Sequence, residues 1–161
     1  MKKQIEKLIF LSFVGLLILG ISSCNSGNKA EEQNTENQEE PQTEEVESDP
    51  MKNKGIGPVS SITLEALNAD LAKKGGELFT NKCSACHALD KRVVGPPLDR
   101  LTERRTPEWI MNMILNPEQM VKEDPIAKEL LGEYLAPMAN QSLTQDESRA
   151  ILEYFRENDS K

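Results

Sequence analysis

The chain has 161 residues and a formal net charge of −8, with 37% hydrophobic and 29% charged residues. This length allows one modest domain with appendages, and the low apolar content predicts that part of the chain forms no core. The acidic balance argues against nucleic acid as a general partner.

The first 23 residues are typical of a bacterial export signal. Lys2, Lys3 and Lys7 precede an apolar run over positions 8–21, which is short for a membrane-spanning helix. The run ends with small residues directly before Cys24, and this order resembles the lipobox of bacterial lipoproteins. A plain secretory signal with a chance cysteine, or an uncleaved anchor, is the alternative interpretation.

The lipobox resemblance implies cleavage before Cys24, which would then carry a diacylglyceryl group and an N-acyl chain such as palmitate. Two or three acyl chains anchor a protein stably where one would not. We therefore expect a membrane-attached protein on the periplasmic side of the cell envelope. The sequence does not distinguish the inner membrane from the outer membrane.

Residues 24–61 are predicted to form an acidic, disordered tether. They carry nine acidic residues and almost no aromatic ones. Such a stretch cannot bury enough apolar surface to offset its ordering entropy, so it should behave as an extended, self-repelling linker.

Residues 62–161 have the pattern of amphipathic helices, with no convincing run of alternating strand residues. Helix start signals occur at Asn68, at Thr106-Pro107, at Asp124-Pro125 and at Thr144, where Glu147 completes a capping box. Gly95-Pro96-Pro97 and Ala136-Pro137-Met138 interrupt this pattern and are predicted loops. The sequence therefore predicts a mainly α domain with long loops.

The segment from Cys83 to His87 reads Cys-Ser-Ala-Cys-His. Two cysteines three positions apart lie on the same side of one helical turn, so both thiols can reach the two vinyl groups of one haem. The histidine that follows can reach the iron. This c-type attachment signature predicts one covalent haem c, with Cys83 and Cys86 as attachment points and His87 as the proximal iron ligand.

Two other uses of this cysteine pair fit the sequence less well. A structural zinc site normally needs four ligands from two such pairs, and only His87 remains to assist. A thioredoxin-like dithiol normally opens a helix within a βαβ pattern, which is absent here. Export also favours haem, since haem is attached to such motifs outside the cytoplasm, and with Cys24 lipidated no pair remains for a structural disulfide.

The second iron ligand has several candidates. Met111, Met113 and Met120 follow helical apolar patterns, where methionine more often fills a core. Met138 lies instead in a loop after a proline, shortly before the last helix. We expect Met138 to be the distal ligand and keep an open sixth position as the alternative. Bis-histidine ligation within one chain is excluded, because His87 is the only histidine.

With these motifs, most of residues 68–161 resemble a class I cytochrome c of the small bacterial type. The resemblance implies a cytochrome c fold with three to five helices around one covalently bound haem. It also implies that Gly75 and Phe79 lie where the N-terminal helix crosses the C-terminal helix, opposite Ile151 and Tyr154.

The same resemblance implies roles around the iron. The Pro96 carbonyl would orient His87 by accepting a hydrogen bond from its other ring nitrogen, and Pro137-Met138 would form the distal loop. We expect Trp109 to belong half to the core and half to the haem contact, with its indole available to a haem propionate. The stretch 102–135 is longer than in the smallest members, and its role stays open.

The function implied is that of an electron carrier rather than an enzyme, passing one electron at a time by outer-sphere transfer. The expected partners are a quinol-oxidising complex or another cytochrome upstream, and a terminal oxidase or reductase downstream. Their identities, the reduction potential and the oligomeric state stay open. The region around the attachment motif is basic, which suggests an acidic docking partner; its cations are Lys82, Lys91, Arg92, Arg100, Arg104 and Arg105.

Two alternatives follow if the sixth iron position is open. One is a haem-based sensor or ligand binder for a small gas. The other is a peroxidase-like enzyme, for which the sequence offers no distal histidine and no obvious arginine pair.

Overall fold

The computed structural model describes residues 49–161, so the predicted signal peptide, Cys24 and most of the predicted tether lie outside the described residues. Within residues 49–161 the chain contains helices and loops but no strand, which confirms the mainly α class. The six helices of this part exceed the expected three to five: α1 Ala69–Lys82, α2 Leu101–Arg104, α3 Pro107–Leu115, α4 Pro117–Glu123, α5 Pro125–Tyr134 and α6 Gln145–Asp159. None of these six is both long and apolar enough to cross a membrane.

Side-chain caps begin four of the helices where the sequence predicts them. The capping residues are Asn68 for α1, Thr106 for α3, Asp124 for α5 and Thr144 for α6. At α6, Glu147 accepts a hydrogen bond of 2.8 Å from the Thr144 N–H, and this bond lowers the pKa of Glu147. The caps bind N–H groups of the first turn, which have no acceptor within the helix.

Helix α4 is absent from the sequence prediction. Asn116-Pro117 indicates a stop, and α3 does end at Leu115. The chain then begins a new helix at once, with Pro117 in its first turn. Proline is excluded from a helix interior but favoured in the first turn, so one signal both ends a helix and starts another.

The close crossing of α1 and α6 lies at the centre of the fold. Gly75 is buried against α6, where a Cβ would overlap the Ala150 carbonyl oxygen and lie 2.9 Å from Tyr154 Cβ. One turn later, the Phe79 ring lies 5.4 Å from the Tyr154 ring and 5.8 Å from the Phe155 ring. Gly75 therefore permits a backbone approach that aromatic packing then stabilises.

Glu153 ties α6 to the start of α1. Its fully buried carboxylate accepts a hydrogen bond of 2.8 Å from Asn68 N–H and pairs with Arg149 and Arg156. Burial alone would raise the pKa of Glu153, but the hydrogen bonds from Asn68 and the two arginines outweigh it and lower the pKa. This buried charge is tolerated because it is fully hydrogen-bonded.

Residues 49–61 pack against the domain, so the predicted end of the disordered tether at position 61 is wrong. Asn53 is 1% exposed, and its Nδ2 donates to Asp124 at 2.6 Å. Val59 is buried as well, and its N–H donates to Asn112 at 3.0 Å. The prediction treated residues 24–61 as one acidic stretch. Residues 49–61 contain only one of its acidic residues, so the average composition did not describe this segment. We call residues 49–61 the strap.

Replacement of Gly75 by alanine tests the helix crossing. The added Cβ overlaps backbone of α6, which cannot move away as a flexible side chain could. Overpacking of this kind costs about 1–3 kcal/mol of unfolding free energy, which chemical denaturation measures. Gly132→Ala in α5 is the control, because its Cβ meets nothing within 4 Å and alanine favours helix by about 1 kcal/mol. Equal stability of the two variants would contradict the crossing.

Candidate functional site

One cleft brings together the residues that the sequence marks for haem chemistry. Cys83, Cys86, His87 and Met138 all line it. The cleft is open to solvent on one side and contains about 1360 Å³ of empty space, including its open mouth. Its remaining walls are mainly apolar and include Phe79, Leu101, Ile110, Ile114, Ile151 and Phe155.

The attachment motif continues directly from α1. After Lys82 the chain makes one further turn, in which the N–H groups of Cys86 and His87 both donate to the Cys83 carbonyl, at 3.0 and 2.9 Å. This turn directs both free thiols into the cleft. Burial, and then the neighbouring Cys86, raises the pKa of the Cys83 thiol.

The His87 ring is fixed by the loop that follows. His87 Nδ1 lies 3.2 Å from the Pro96 carbonyl oxygen. Because a carbonyl can only accept, Nδ1 carries the proton and the Nε2 lone pair is free for a metal. Gly95 packs beneath the ring, and a Cβ there would lie 2.9 Å from Nδ1 and 3.1 Å from Nε2. Glycine at this position therefore makes room for the imidazole.

The structure divides the four methionine candidates into two pairs. Met111 and Met120 are 3% and 0% exposed and belong to the core. Met138, from the loop between α5 and α6, and Met113, from α3, both line the cleft. Met113 was expected to be core filler, but it lies partly in the core and partly on the cleft wall.

Trp109 forms part of the cleft wall, but its indole N–H is not available to a haem propionate. The Trp109 Nε1 donates to Asp124 Oδ1 at 3.1 Å, and the residue is 4% exposed. The single donor of the indole is thus already used, which disfavours the hydrogen bond to a propionate that the sequence left possible. On the ring face, the Arg105 guanidinium lies 5.2 Å from the ring centroid.

The charges on the cleft wall all have one sign. Lys82, Arg104 and Arg105 line it, and within the part of the chain that the structure describes no acidic side chain does. Arg104 donates to the carbonyls of Pro97 and Asp99, at 2.9 and 3.0 Å. Burial lowers the pKa of Arg105. The guanidinium is therefore partly dehydrated, and a neighbouring anion would stabilise its charge.

The basic region predicted from sequence becomes smaller in the structure. Arg100 pairs with Glu103 at 2.7 Å, so it is no longer one of the cations without an acidic partner. Among residues 49–161, the other five cations have no carboxylate within 4 Å; they are Lys82, Lys91, Arg92, Arg104 and Arg105. Arg92 lies instead over the Tyr134 ring, 4.3 Å from its centroid.

Two functional positions carried no specific signal in the sequence. Gly95 reads as part of a Gly-Pro-Pro loop, although its position beneath His87 is what matters. Asp124 reads as a helix cap, although it also binds Trp109 and Asn53. In both cases the missing information is a contact with a residue distant in sequence.

The donor set and the cleft together define a class of protein. Two adjacent thiols, an imidazole with a free Nε2 and a thioether surround an apolar cleft lined by cations. These residues fit a haem, whose ring is apolar, whose propionates are anionic and whose iron binds nitrogen and sulfur. Fold and site therefore define a small helical c-type haem protein.

The chain belongs to the cytochrome c family, whose sequence profile matches residues 72–159. The protein is thus a haem electron carrier, and the cofactor of the family is a covalent haem c with its iron. The match begins at residue 72, so residues 49–61 lie outside the part of the chain that the profile matches.

Solved structures agree with this assignment. The cytochrome c from Rhodothermus marinus is 43% identical and gives a TM-score of 0.64, with 65% of this chain and 90% of that chain covered. An engineered cytochrome c from the same organism is 42% identical and gives a TM-score of 0.64, with 65% and 92% covered. Its carbene-bound form gives a TM-score of 0.61 at the same identity and coverage. No match was found among curated proteins.

Proposed function

We propose that this protein carries single electrons between redox proteins by outer-sphere transfer, through one haem c. The observation that carries the proposal is the meeting of Cys83, Cys86, His87 and Met138 at one apolar cleft. In this proposal the two cysteines form the thioether bonds, His87 Nε2 is the proximal ligand and Met138 is the distal ligand. The bound haem would supply an iron that cycles between Fe(II) and Fe(III).

The protein's own residues would keep that cycle simple. The Pro96 carbonyl holds the His87 ring, 3.2 Å from Nδ1, so the proximal ligand keeps one tautomer and one orientation. The apolar walls exclude water, which favours the less charged reduced state and limits solvent rearrangement. A site held in this way needs no substrate-binding or acid–base groups.

The position of Met138 favours a carrier over a gas sensor or a peroxidase-like enzyme. Both rivals need an open sixth position, whereas two thioethers, Met138 and Met113, already line the cleft. A peroxidase also needs a distal acid or base, and no acidic side chain lines the cleft within residues 49–161. The charge and ligand set therefore support electron transfer.

We assign the haem propionates to the cationic side of the cleft. Lys82, Arg104 and Arg105 offer positive charge there, and the Trp109 indole does not. A carboxylate beside Arg105 would offset the burial that lowers the pKa of that residue. Two propionates against three cations would leave the cleft nearly balanced in charge.

The mouth of the cleft has the features of a transient docking surface. Val93 and Val94 are 44% and 46% exposed, and Leu135 is 83% exposed. Val94 lines the cleft, and Leu135 follows Tyr134, which lines it too. Two exposed cations with no carboxylate within 4 Å, Lys91 and Arg92, directly precede Val93, and Arg92 lies over the Tyr134 ring. A small apolar contact with a basic rim suits brief encounters with an acidic partner. Suitable partners are a quinol-oxidising complex or another cytochrome upstream, and a terminal oxidase or reductase downstream.

We further propose that the protein is a lipoprotein held at the periplasmic side of the cell envelope. The support is the charged, apolar and small-residue order of positions 1–23 followed by Cys24. Two or three acyl chains at Cys24 would hold the domain at a membrane without a spanning helix. The acidic run from Glu31 to Glu47 would then separate the anchor from the strap.

Replacement of Met138 by alanine tests the distal ligand. We expect loss of the Met–Fe(III) charge-transfer band in the oxidised visible spectrum, together with faster and tighter binding of carbon monoxide to the reduced protein. Met113→Ala is the matched control, because Met113 lines the same cleft from α3 and its loss should leave the band intact. The reverse pattern would make Met113 the ligand, and a high-spin wild-type spectrum would favour the sensor or enzyme.

Charge reversal at the mouth tests the docking surface. Lys91→Glu/Arg92→Glu, beside the exposed Val93 and Val94, should slow reduction by an anionic reductant such as ascorbate several-fold at low ionic strength. The difference should vanish at high salt, since the Debye length falls from about 30 Å at 0.01 M to about 3 Å at 1 M. Lys73→Glu/Lys74→Glu on α1 changes the net charge equally at exposed positions that do not line the cleft. An equal slowing in both variants would show that net charge alone acts.

Replacement of Cys24 by serine tests the anchor. Serine cannot form the thioether to a diacylglyceryl group, so the variant should move from the membrane fraction to the soluble periplasmic fraction. The haem spectrum should stay unchanged, because Cys83 and Cys86 are untouched. A variant that stays in the membrane fraction would point to an uncleaved apolar anchor, and a soluble wild type would point to an ordinary secretory signal.

A further inference from the structure

Asp124 is a fully buried carboxylate that joins the strap to the wall of the cleft. Its Oδ1 accepts from Trp109 Nε1 at 3.1 Å and from Ala127 N–H at 2.8 Å. Its Oδ2 accepts from Asn53 Nδ2 at 2.6 Å. Asp124 is 0% exposed and Asn53 is 1% exposed, so this hydrogen bond between the strap and the carboxylate is buried.

The surroundings of Asp124 are those of an ionised carboxylate. All three partners are N–H donors, and the carboxylate also caps α5 at the positive end of the helix. Among residues 49–161, no lysine, arginine or histidine nitrogen lies within 4 Å of it. The structure therefore holds a buried negative charge that hydrogen bonds stabilise but no cation neutralises at contact distance.

This charge lies directly behind the cleft. Two of the three residues that donate to Asp124, Trp109 and Ala127, themselves line the cleft. The carboxylate is thus separated from the cleft by a single side chain. Arg105 lines the cleft and lies over the Trp109 ring. The negative charge of Asp124 acts on this residue, since it opposes the lowering of the Arg105 pKa by burial.

We propose that Asp124 is a positioning residue with two effects on the haem site. It fixes the Trp109 indole as a rigid part of the cleft wall, and it places a negative charge where the low dielectric carries its field into the cleft. A fixed negative charge favours the more positively charged ferric state, so Asp124 lowers the reduction potential. The strap contributes through Asn53, which keeps water from the carboxylate.

This proposal rests on the proposed haem site, and it explains why the strap is part of the domain. The family profile begins at residue 72, whereas Asn53 and the neighbouring strap lie well before it. The strap also holds α3, since Asn53 O accepts from Thr106 Oγ1 at 2.5 Å. Loss of the strap should therefore alter the redox site as well as the stability.

The midpoint potential of the haem-loaded protein tests the electrostatic effect. Asp124→Asn keeps an oxygen for Trp109 and Ala127 but removes the charge, so the midpoint potential should rise above that of the wild type. Glu133→Gln removes one exposed charge from the same helix, at a position that does not act on Arg105, and should change the potential little. An unchanged or lower potential in Asp124→Asn, with the oxidised spectrum intact, would overturn the proposal.

A double exchange separates charge from hydrogen bonding. In Asp124→Asn alone, the new amide N–H group faces the Asn53 amide, which leaves two donors opposed and can destabilise the fold. Asn53→Asp/Asp124→Asn restores the pair and moves the charge to the strap, where the carboxylate introduced at position 53 can still accept from Gly55 N–H as Asn53 does. We expect near wild-type stability with a potential between those of wild type and Asp124→Asn. A double variant with a potential above that of Asp124→Asn would overturn the electrostatic effect, because the double variant retains a nearby negative charge that Asp124→Asn lacks.

The indole resonance tests the positioning effect without reference to the haem. Trp109 is the only tryptophan, so one indole N–H signal is expected in the nitrogen–proton NMR spectrum, with slow solvent exchange. Asp124→Asn should shift this signal and speed its exchange more than tenfold, and Glu133→Gln should not. An unaffected signal would overturn the positioning role. If the wild type bound no haem, the proposed function would fail while this measurement would still decide the Asp124–Trp109 contact.

Discussion

The close approach of α1 and α6 is the contact on which the rest of the structure depends. Only a residue without a Cβ at position 75 lets the two backbones meet. Phe79 from α1 and Ile151 and Phe155 from α6 then extend this crossing into one wall of the cleft. Because α1 continues directly into Cys83, the same crossing also sets where the attachment thiols lie.

The two sides of the cleft are built in different ways. The surroundings of His87 are local, since Gly95 and Pro96, which contact its ring, follow it by only eight and nine residues. The side of Met138 is assembled from α3, α5 and a later loop, and its wall is supported by Asp124 and the strap. The electrostatic field in the cleft comes from the cations that line it and from one buried carboxylate, Asp124, behind its wall. This combination suits a site that holds anionic propionates and transfers electrons.

Local signals predicted much of this arrangement, and non-local contacts account for the errors. The caps at Thr106, Asp124 and Thr144 were predicted correctly because each acts within three residues. The strap was assigned to the tether because its acidic neighbours dominate the composition. The sequence leaves the Trp109 indole open to a propionate, because its hydrogen-bond partner, Asp124, is visible there only as a helix cap.

The sequence by itself determined the chemistry of attachment, the helical class and most helix boundaries. These depend on residues within one or two turns of each other, where spacing alone decides the geometry. Only the tertiary structure decided which methionines line the cleft, which acceptor the Trp109 indole N–H binds and where the folded domain begins. Those outcomes depend on how distant segments pack around the α1–α6 crossing, and no local spacing specifies which buried donors and acceptors will meet there.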